Sequence, residues 1–421
     1  MGAVEAGGYK NLIAPDRKLR IACVGCGGKG ASDINDFAGE EIVALCDVDY
    51  HRGATMFMLY PDAIPYRDYR KMLVEVADKI DAVSVSVPDH THYPAARLAM
   101  ELGKHVFIQK PLTHTVGEAR ALKKLAIETG VVTQMGNQGH AREETRLCKE
   151  WIDAGVIGKV AEVHIWTDRP RGMWVQPSTW INPHPVPEGL DWNLWCGVAP
   201  YRDYAPNILP FIWRSFWSFG SGTLGDMGCH TMDTAFWALN LRGPMKVSAE
   251  VENGSLISAP GGSRITYEFA ATPERGAVKM IWYDGTYKAP VPKEFDAGKF
   301  PTAGCYFVGE KGILLAGGDF CETLTLLPVA KMKEFLPHRP PKVIPRVPHA
   351  NPALEWIAAC KGGPKPGSNI IDHSADLTEM VQLGNVAIRM SPRVIDWDPV
   401  SGTCIGLPEA DGLIHKKYRL F

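Results

Sequence analysis

The stretch that decides the fold is Arg20–Asp47, RIACVGCGGKGASDINDFAGEEIVALCD. It runs as an apolar strand, a glycine turn, a helical segment, a second apolar strand and a final acid. In the turn, Gly25 permits the tight bend, Gly27 lets the backbone approach a pyrophosphate, and Gly30 lets the helix pack on the strand. The free N–H groups at the start of that helix attract phosphate oxygens. The stretch therefore predicts a dinucleotide site, with Gly28 and Lys29 also in its turn.

The kind of dinucleotide is indicated by Asp47, which lies 22 residues after Gly25, at the end of the second strand. An acid at this position accepts hydrogen bonds from the adenosine ribose hydroxyls and would repel a 2′-phosphate. NAD is therefore favoured over NADP. Arg52 lies close enough in the sequence to weaken that preference.

Composition excludes several classes of protein. The chain has 421 residues, which suggests two domains, and 45% of them are hydrophobic. A net charge of -2 gives no reason to expect nucleic acid or an acidic membrane as a partner. No apolar run approaches the roughly 18 residues that span a bilayer. The start has no export signal, so a cytoplasmic location is expected for the sequence as it stands. Its Ala/Gly-rich character predicts a periplasmic location instead if a signal has been removed.

The ten cysteines include one CxxC pair, Cys23 and Cys26. Cys23 falls in the first strand and Cys26 in a variable position of the glycine turn. No second CxxC is present to complete a zinc site. We therefore expect free thiols in a reducing compartment and no metal.

Strands and helices alternate after Asp47, which predicts a doubly wound parallel sheet. Apolar runs at 80–88, 105–111 and 131–137 are strands, and helical segments lie near 52–59, from Asp68, at 91–104 and after Thr115. Ligands of such sheets bind beyond the carboxyl ends of the strands. The residues that we expect there, beside the cofactor, are Pro88, His92, Gln109, Lys110 and Asn137.

The pattern changes near Arg142. A helix and a strand lead into a loop-rich region, 169–222, and a helix from about Cys229 to Leu239 precedes β-type stretches spaced for a largely antiparallel sheet. A proline-rich strap at 336–352 and a helix from near Ser374 follow. The fold class is α/β, with three predicted segments: a Rossmann domain (19–141), an α/β substrate and oligomerisation domain (142–390) and a tail packed on both (391–421).

Three residues are candidates for chemistry: Lys110, Asp226 and His230. Asp226 and His230 are four apart, so a helical turn places them on one face, and Asp233 falls on the same side. Hydride transfer from a carbinol needs a group to take the hydroxyl proton. A neutral lysine or a histidine can do so, and we assign Lys110 and His230 jointly, with Asp226 orienting the substrate or His230. These three residues, together with His140 and Arg214, are the substrate-binding candidates.

Alternative roles compete with these. Each residue could be structural, and Asp226-x3-His230 with another histidine could hold a metal, but no third ligand has convincing spacing. Six tryptophans occur within 44 residues of the loop-rich region, and we expect some of them to form a platform for a sugar face. They are Trp174, Trp180, Trp192, Trp195, Trp213 and Trp217.

Together these motifs resemble the glucose-fructose oxidoreductase/inositol dehydrogenase family (Gfo/Idh/MocA) over roughly residues 19–390. The matching motifs are the glycine turn Gly25–Gly30, Pro88 with His92, Lys110-Pro111, the passage Asp153–Val160, and Asp226-x-Gly228-x-His230-x-x-Asp233. The resemblance implies a Rossmann domain and a C-terminal domain whose open sheet faces the nicotinamide. It also implies a catalytic role for Lys110, Asp226 and His230, sugar or polyol substrates, and a homo-oligomer, either dimer or tetramer.

One position departs from the family. Its usual Glu-Lys-Pro is Gln109-Lys110-Pro111 here, which removes a charge near Lys110 and could lower the lysine pKa or redirect the reaction. Three hypotheses remain. The favoured one is an NAD-dependent sugar or glycoside dehydrogenase. The second is a redox-neutral glycosidase with tightly held NAD, because the Trp-rich stretch is similar to family members near carbohydrate-degradation systems. The third is a non-catalytic protein that uses the fold to hold a nucleotide.

Overall fold

The structure is a computed structural model that describes residues 8–172, 177, 179–180, 182–206 and 208–421. Its first part alternates strands and helices, as the sequence predicts. The strands are β1 (Arg20–Val24), β2 (Glu41–Cys46), β3 (Ile64–Tyr66), β4 (Ala82–Val85), β5 (His105–Ile108) and β6 (Thr133–Met135). The helices are α1 (Lys29–Asp36), α2 (Tyr50–Leu59), α3 (Tyr69–Glu75), α4 (Asp89–Glu101) and α5 (Val116–Thr129).

These six strands form one parallel sheet in the order β3-β2-β1-β4-β5-β6. The strand order reverses between β1 and β4, and such a switch point opens a crevice at the carboxyl ends of the strands. The prediction of a doubly wound parallel sheet is confirmed. The short strand β3 was not predicted.

Side-chain caps fix where several helices begin. Asp49 accepts hydrogen bonds from the first N–H groups of α2, and Asp68 does the same for α3. Thr115 and Glu118 form a reciprocal capping box at the start of α5, which ends at Gly130 in the left-handed conformation. The sequence predicted these helix starts to within a few residues.

The second part is built on a nine-stranded sheet. Its strands are β7 (Val160–Trp166), β8 (Lys246–Glu252), β9 (Gly262–Phe269), β10 (Val278–Asp284), β11 (Gly304–Gly309), β12 (Gly312–Gly317), β13 (Thr323–Leu327), β14 (Ile395–Asp398) and β15 (Thr403–Cys404). The order is β13-β12-β11-β7-β10-β9-β8-β14-β15, and only β7 and β10 pair in parallel. The predicted, mostly antiparallel sheet is therefore confirmed, and strands from the tail extend it.

The helices of this part are α6 (Glu143–Asp153), α7 (Trp192–Cys196), α8 (Gly222–Thr231), α9 (Asp233–Ala238), α10 (Ala330–Phe335), α11 (Pro352–Cys360), α12 (Ala375–Met390) and α13 (Asp411–Ile414). The predicted single helix from Cys229 to Leu239 is wrong. Two helices, α8 and α9, occupy this region, and α8 begins seven residues earlier, at Gly222.

Helix α11 packs on the Rossmann sheet, although it follows most of the second sheet in the sequence. Its Trp356 ring lies 5.6 Å from that of Phe37 and 5.7 Å from that of Phe107, and all three side chains are buried. Asn351 caps this helix, and Pro352 stands at its first position. The sequence prediction did not include this helix.

Helix α12 joins the two parts. Its residues Thr378, Glu379 and Gln382 bond respectively to the Leu112 N–H, the Arg120 guanidinium and the Thr113 carbonyl. On its other side α12 packs against α8 and β8. Among the described residues, no helix is both long and apolar enough to cross a membrane.

Candidate active site

A cleft of ≈ 400 Å³ opens at the carboxyl ends of the parallel strands. It is lined from the Rossmann side by the glycine turn and by the loops after β2, β4 and β5. From the other side it is lined by the 209–214 segment, α8 and the turn before β13. The predicted residues in this lining are Gly25, Gly27, Gly28, Lys29, Asp47, Pro88, Gln109, Lys110, Arg214, Asp226 and His230.

Two glycines of the turn, Gly25 and Gly30, leave no room for a side chain. A Cβ at Gly25 would lie 2.2 Å from the Ser86 carbonyl oxygen, and Gly25 has a φ of 91°. A Cβ at Gly30 would lie 2.2 Å from the Gly25 carbonyl oxygen. Gly30 is buried and does not line the cleft, so it affects only the shape of the turn. Gly27 and Gly28 present bare backbone to the cleft at the start of α1, a surface suited to a pyrophosphate.

The acid at the end of β2 is held against this turn. One oxygen of Asp47 accepts a hydrogen bond of 2.8 Å from the Cys26 N–H, and the other accepts one of 2.9 Å from the Asp49 N–H. Burial raises the pKa of Asp47, while these two backbone donors and Arg52 oppose the shift. The carboxylate faces the cleft beside Arg52, at the position expected of a ribose-binding acid.

Lys110 and Asp226 meet in the floor of the cleft. The Lys110 ammonium lies 2.9 Å from Oδ1 of Asp226, and Arg214 Nε lies 3.0 Å from the same oxygen. Arg169, which the sequence did not indicate, lies 4.0 Å from Oδ2. Burial opposes ionisation of Asp226, but the cations of Lys110 and Arg214 outweigh it and hold the carboxyl pKa well below its usual range.

His230 follows Asp226 by one turn of α8 and lines the same cleft. Burial and the charge of Lys110 lower its pKa well below the ordinary value, so the ring is neutral. Its Nδ1 atom is buried and has no hydrogen-bond partner in the part of the chain that the structure describes. The ring is perpendicular to that of Phe320, with centroids 4.7 Å apart. His230 is therefore a neutral imidazole with a ring nitrogen still to be satisfied.

Aromatic and apolar side chains form one wall of the cleft. Trp195 and Trp213 line it, and Trp192 stacks behind Trp195 with centroids 4.6 Å apart. Trp180 and Trp217 lie away from the lining, and Trp174 is outside the described residues. The remaining members of this wall are Leu194, Leu209, Pro210 and Phe211.

Gln109 lines the cleft, and its amide bonds to an acid other than Asp226. Its Nε2 atom donates to Asp33, at 2.9 Å and 3.2 Å from the two carboxylate oxygens. The uncharged amide at position 109 therefore contacts a second buried acid, Asp33. The sequence had not indicated Asp33 as a site residue.

Besides Gly30, three predicted site residues lie outside the cleft lining. His92 is buried, with its ring nitrogens 2.7 Å from the Val87 and Pro111 carbonyl oxygens, so it braces the loops after β4 and β5. Asn137 is buried and accepts a hydrogen bond from Ser368. His92 thus supports the cleft loops without lining the cleft, and Asn137 links the loop after β6 to Ser368.

His140, the third, belongs to a separate buried cluster with Asp233 and His373. Its Nδ1 lies 3.0 Å from Asp233 Oδ2, and His373 Nε2 lies 2.5 Å from Asp233 Oδ1. This grouping has the residue types of a metal site, which the spacing did not reveal. Direct hydrogen bonds already occupy both carboxylate oxygens, however. The hydrogen bonds of the Asp233 side chain thus go to this cluster, and none of those that the structure describes goes to Lys110.

Two protein-family models match this chain. The family model described as "Oxidoreductase family, NAD-binding Rossmann fold" matches residues 19–137, and the model for its C-terminal alpha/beta domain matches residues 143–274. The chain belongs to the Gfo/Idh/MocA family. The predicted family and an NAD-binding Rossmann domain are therefore confirmed.

Two relatives of this Gfo/Idh/MocA protein have names that refer to glycosides. The chain is 26% identical over 239 residues to D-glucoside 3-dehydrogenase of Escherichia coli, covering 55% of this chain and 57% of that protein. It is 32% identical over 167 residues to a glycosyl hydrolase family 109 protein of Shewanella sp., covering 35% of each. The matched regions thus span about a third to somewhat over half of these relatives.

Solved structures show the same fold. The WlbA dehydrogenase of Bordetella pertussis, solved with NADH and UDP-GlcNAcA, superposes with a TM-score of 0.62 at 17% identity. The match covers 91% of this chain and 99% of that one.

The residues of this Gfo/Idh/MocA chain fit the NAD that the family implies. The bare backbone at Gly27 and Gly28 would receive the pyrophosphate, and Asp47 would receive the adenosine ribose. The cleft continues from there to Lys110, where the nicotinamide end would lie. All ten cysteines are buried free thiols, and Cys26 donates weakly to the Cys46 carbonyl below the turn.

Proposed function

We propose that this protein is an NAD-dependent oxidoreductase that moves a hydride between nicotinamide and a carbinol of a sugar, polyol or glycoside. The observation that carries the proposal is the placement of Lys110, Asp226 and His230 in the same cleft as the glycine turn. The sugar dehydrogenase among the relatives supports the substrate class. NAD, when bound, supplies the hydride acceptor.

The residues of the cleft divide the remaining work. The neutral ring of His230 is ready to accept the hydroxyl proton of the substrate. Lys110, ion-paired with Asp226, orients that hydroxyl as an ammonium donor, and it would share the role of base only as the neutral amine, after releasing its own proton. Asp226 holds both Lys110 and Arg214 in place, so it acts as the anchor of the polar side of the cleft.

The aromatic wall fits a sugar. A pyranose has one face of C–H groups that stacks on an aromatic ring and hydroxyls at its edges for polar partners. Trp195 and Trp213 supply rings to the lining of the cleft, and Arg169 and Arg214 supply hydrogen-bond donors to it. Arg214 also lies against the Trp213 ring, with its guanidinium carbon 4.3 Å from the centroid.

A second function is supported by the glycosyl hydrolase family 109 relative. In a redox-neutral glycosidase, the same cleft would oxidise a ring carbon, eliminate the aglycone, add water and return the hydride to the sugar. Such a cycle regenerates NAD and releases no NADH. It would use the same proton acceptors, so the net products distinguish the two functions.

The experiment begins with protein purified without added cofactor. Nucleotide released on denaturation is measured, and the protein is then given NAD with a panel of free sugars and aryl glycosides. Steady NADH formation is the result expected of the dehydrogenase. Release of the aglycone without NADH would favour the glycosidase. A protein that neither holds nor binds NAD and turns over no member of the panel would contradict both functions, and with them the dinucleotide site predicted from the glycine turn.

The homo-oligomer implied by the family resemblance, a dimer or tetramer, is part of the same proposal. Light scattering coupled to size-exclusion chromatography tests it, and a monomer at micromolar concentration would contradict it.

A further inference from the structure

Asp33 is a buried carboxylate to which the proposed function gives no role. It lies in α1, in the turn of helix that follows Gly30, and its side chain is 2% exposed. It does not itself line the cleft, but three of its hydrogen-bond partners do: Lys29, Ser86 and Gln109. An isolated buried carboxylate is costly, so these partners are needed to keep it there.

The donors to Asp33 come from three adjacent strand ends. The Lys29 ammonium lies 2.5 Å from Oδ1, and the Ser86 hydroxyl donates to Oδ2 at 2.7 Å. The Gln109 amide completes the set, 2.9 Å from Oδ2. Lys29 follows β1, Ser86 follows β4 and Gln109 follows β5, and these three strands are neighbours in the sheet. One carboxylate therefore ties together the part of the cleft floor that lies between the glycine turn and Lys110.

This arrangement explains why position 109 carries an amide. A glutamate there would bring a second carboxylate within hydrogen-bond distance of Asp33, and two such groups in a buried site cannot both ionise. The glutamine keeps the length of the side chain and supplies N–H donors instead. In this chain the buried negative charge is thus on α1 rather than next to Lys110.

We propose that Asp33 is a positioning residue for the dinucleotide, acting through Lys29 at the pyrophosphate end and through Gln109 at the segment that leads into Lys110. Lys29 is partly exposed, so its ammonium is fixed by Asp33 and still accessible to a phosphate. Gln109 directly precedes Lys110, so fixing its side chain fixes the chain direction at the nicotinamide end. This inference rests on the proposed function.

The test exchanges the carboxylate and the amide between positions 33 and 109, and it needs no sugar substrate. NADH affinity is measured by fluorescence titration for the wild type, Asp33→Asn, Gln109→Glu and the double variant. Each single variant is expected to weaken NADH binding about tenfold, because it leaves a buried polar group mismatched. The double variant restores one carboxylate facing one amide, and its affinity is expected to return to within about threefold of the wild type.

Asn253→Asp is the matched control, because it adds the same charge at an exposed turn between β8 and β9 that lies outside the cleft lining. It should bind NADH as the wild type does. Thermal melting of the proteins without ligand shows which variants fold. If Asp33→Asn does not fold, recovery of Gln109→Glu in the double variant still supports the inference.

Two results would overturn it. One is normal NADH affinity in both single variants, and the other is a double variant whose loss is the product of the single losses, about a hundredfold. Either result would leave the proposed function standing, since the wild type would still bind NADH. Failure of the wild type itself to bind NADH would overturn the proposed function, and the role of Asp33 with it.

Discussion

The ammonium of Lys110 donates both to Oδ1 of Asp226, at 2.9 Å, and to the Asp226 carbonyl oxygen, at 2.8 Å. The two residues are separated by 116 positions in the chain, and they join the Rossmann sheet to helix α8. Because the pKa of Asp226 lies well below its usual range, the carboxylate stays charged at neutral pH. The contact is thus an ion pair that fixes Lys110 before a substrate enters.

Asp226→Asn tests this pair. The amide keeps the shape of the side chain but removes the charge, so Lys110 and Arg214 lose their common anchor. We expect kcat for the sugar substrate to fall about a hundredfold, with NADH affinity within about threefold of the wild type. Asp396→Asn, which changes the same residue type in an exposed pair with Lys246, is the control. A parallel loss of NADH affinity would instead place Asp226 in cofactor binding.

Arg419 holds the end of helix α7, which carries Leu194 and Trp195 into the cleft. Its guanidinium donates to the Asn193 side chain at 2.7 Å and to the Asn193 and Gly197 carbonyl oxygens at 2.9 Å and 3.1 Å. Without these bonds, Trp195 is less firmly placed. We expect Arg419→Met to raise KM for the sugar about fivefold or more and to leave kcat nearly unchanged, the pattern of lost uniform binding.

The matched control for that variant is Arg393→Met. Arg393 also lies after α12 and forms an exposed ion pair with Glu409, outside the cleft lining. Steady-state kinetics on both proteins separates the two effects. A kcat that falls in proportion for Arg419→Met would show that α7 takes part in the chemical step, contrary to this prediction.

His105 makes stability depend on pH. It accepts a hydrogen bond from the Val132 N–H at Nδ1, and its Nε2 lies 3.0 Å from the Asn11 carbonyl oxygen, so the ring is neutral. Burial lowers its pKa to about 4. As the pH falls, His105 of the unfolded chain therefore binds a proton before His105 of the folded chain does. The contribution of His105 is complete above its ordinary pKa of about 6.5 and is lost as the pH falls toward about 4.

His105→Asn isolates this effect, because the asparagine oxygen can still accept the Val132 N–H but cannot titrate. Between about pH 7 and about pH 5, we expect the variant to lose about 2 kcal/mol less unfolding free energy than the wild type. Denaturant titrations at the two pH values measure the difference. Equal losses in the two proteins would show that His105 is protonated without cost in the folded state.

The cluster of His140, Asp233 and His373 predicts a stability effect. His373→Leu removes one of the two partners of a buried carboxylate and leaves Asp233 partly unpaired. We expect a loss of about 3 kcal/mol of unfolding free energy. His338→Leu, at an exposed position, should change it by less than about 0.5 kcal/mol. A His373→Leu protein as stable as the wild type would show that His140 alone satisfies Asp233.

Local patterns were enough to predict much of the fold. The glycine turn, the alternation of apolar runs and helices, and the spacing of Asp226 and His230 all depend on residues close together in the chain. The missed elements have local causes too. Strand β3 has three residues, too few for a periodic signal, and α11 lay just beyond a segment predicted to be an extended strap.

The rest of the site depends on contacts between distant residues. Arg169 has no motif around it, and only the fold brings it within 4.0 Å of Asp226, 57 positions away in the chain. His140 looked like a substrate residue because it follows a strand end, but its ring is buried, bonded to Asp233 and in contact with the His373 ring, 233 positions away in the chain. Asp33 has the same character, since its partners Ser86 and Gln109 follow other strands.

Helix α12 binds the Rossmann loop after β5 on one side and packs against α8 on the other. The two halves of the cleft are therefore joined by one helix that contacts both. A hinge between them would have to break the buried hydrogen bonds that Thr378 accepts from the Leu112 N–H and that Gln382 donates to the Thr113 carbonyl. We expect ligands to enter without a large domain rotation, so small-angle scattering profiles with and without NADH should superimpose.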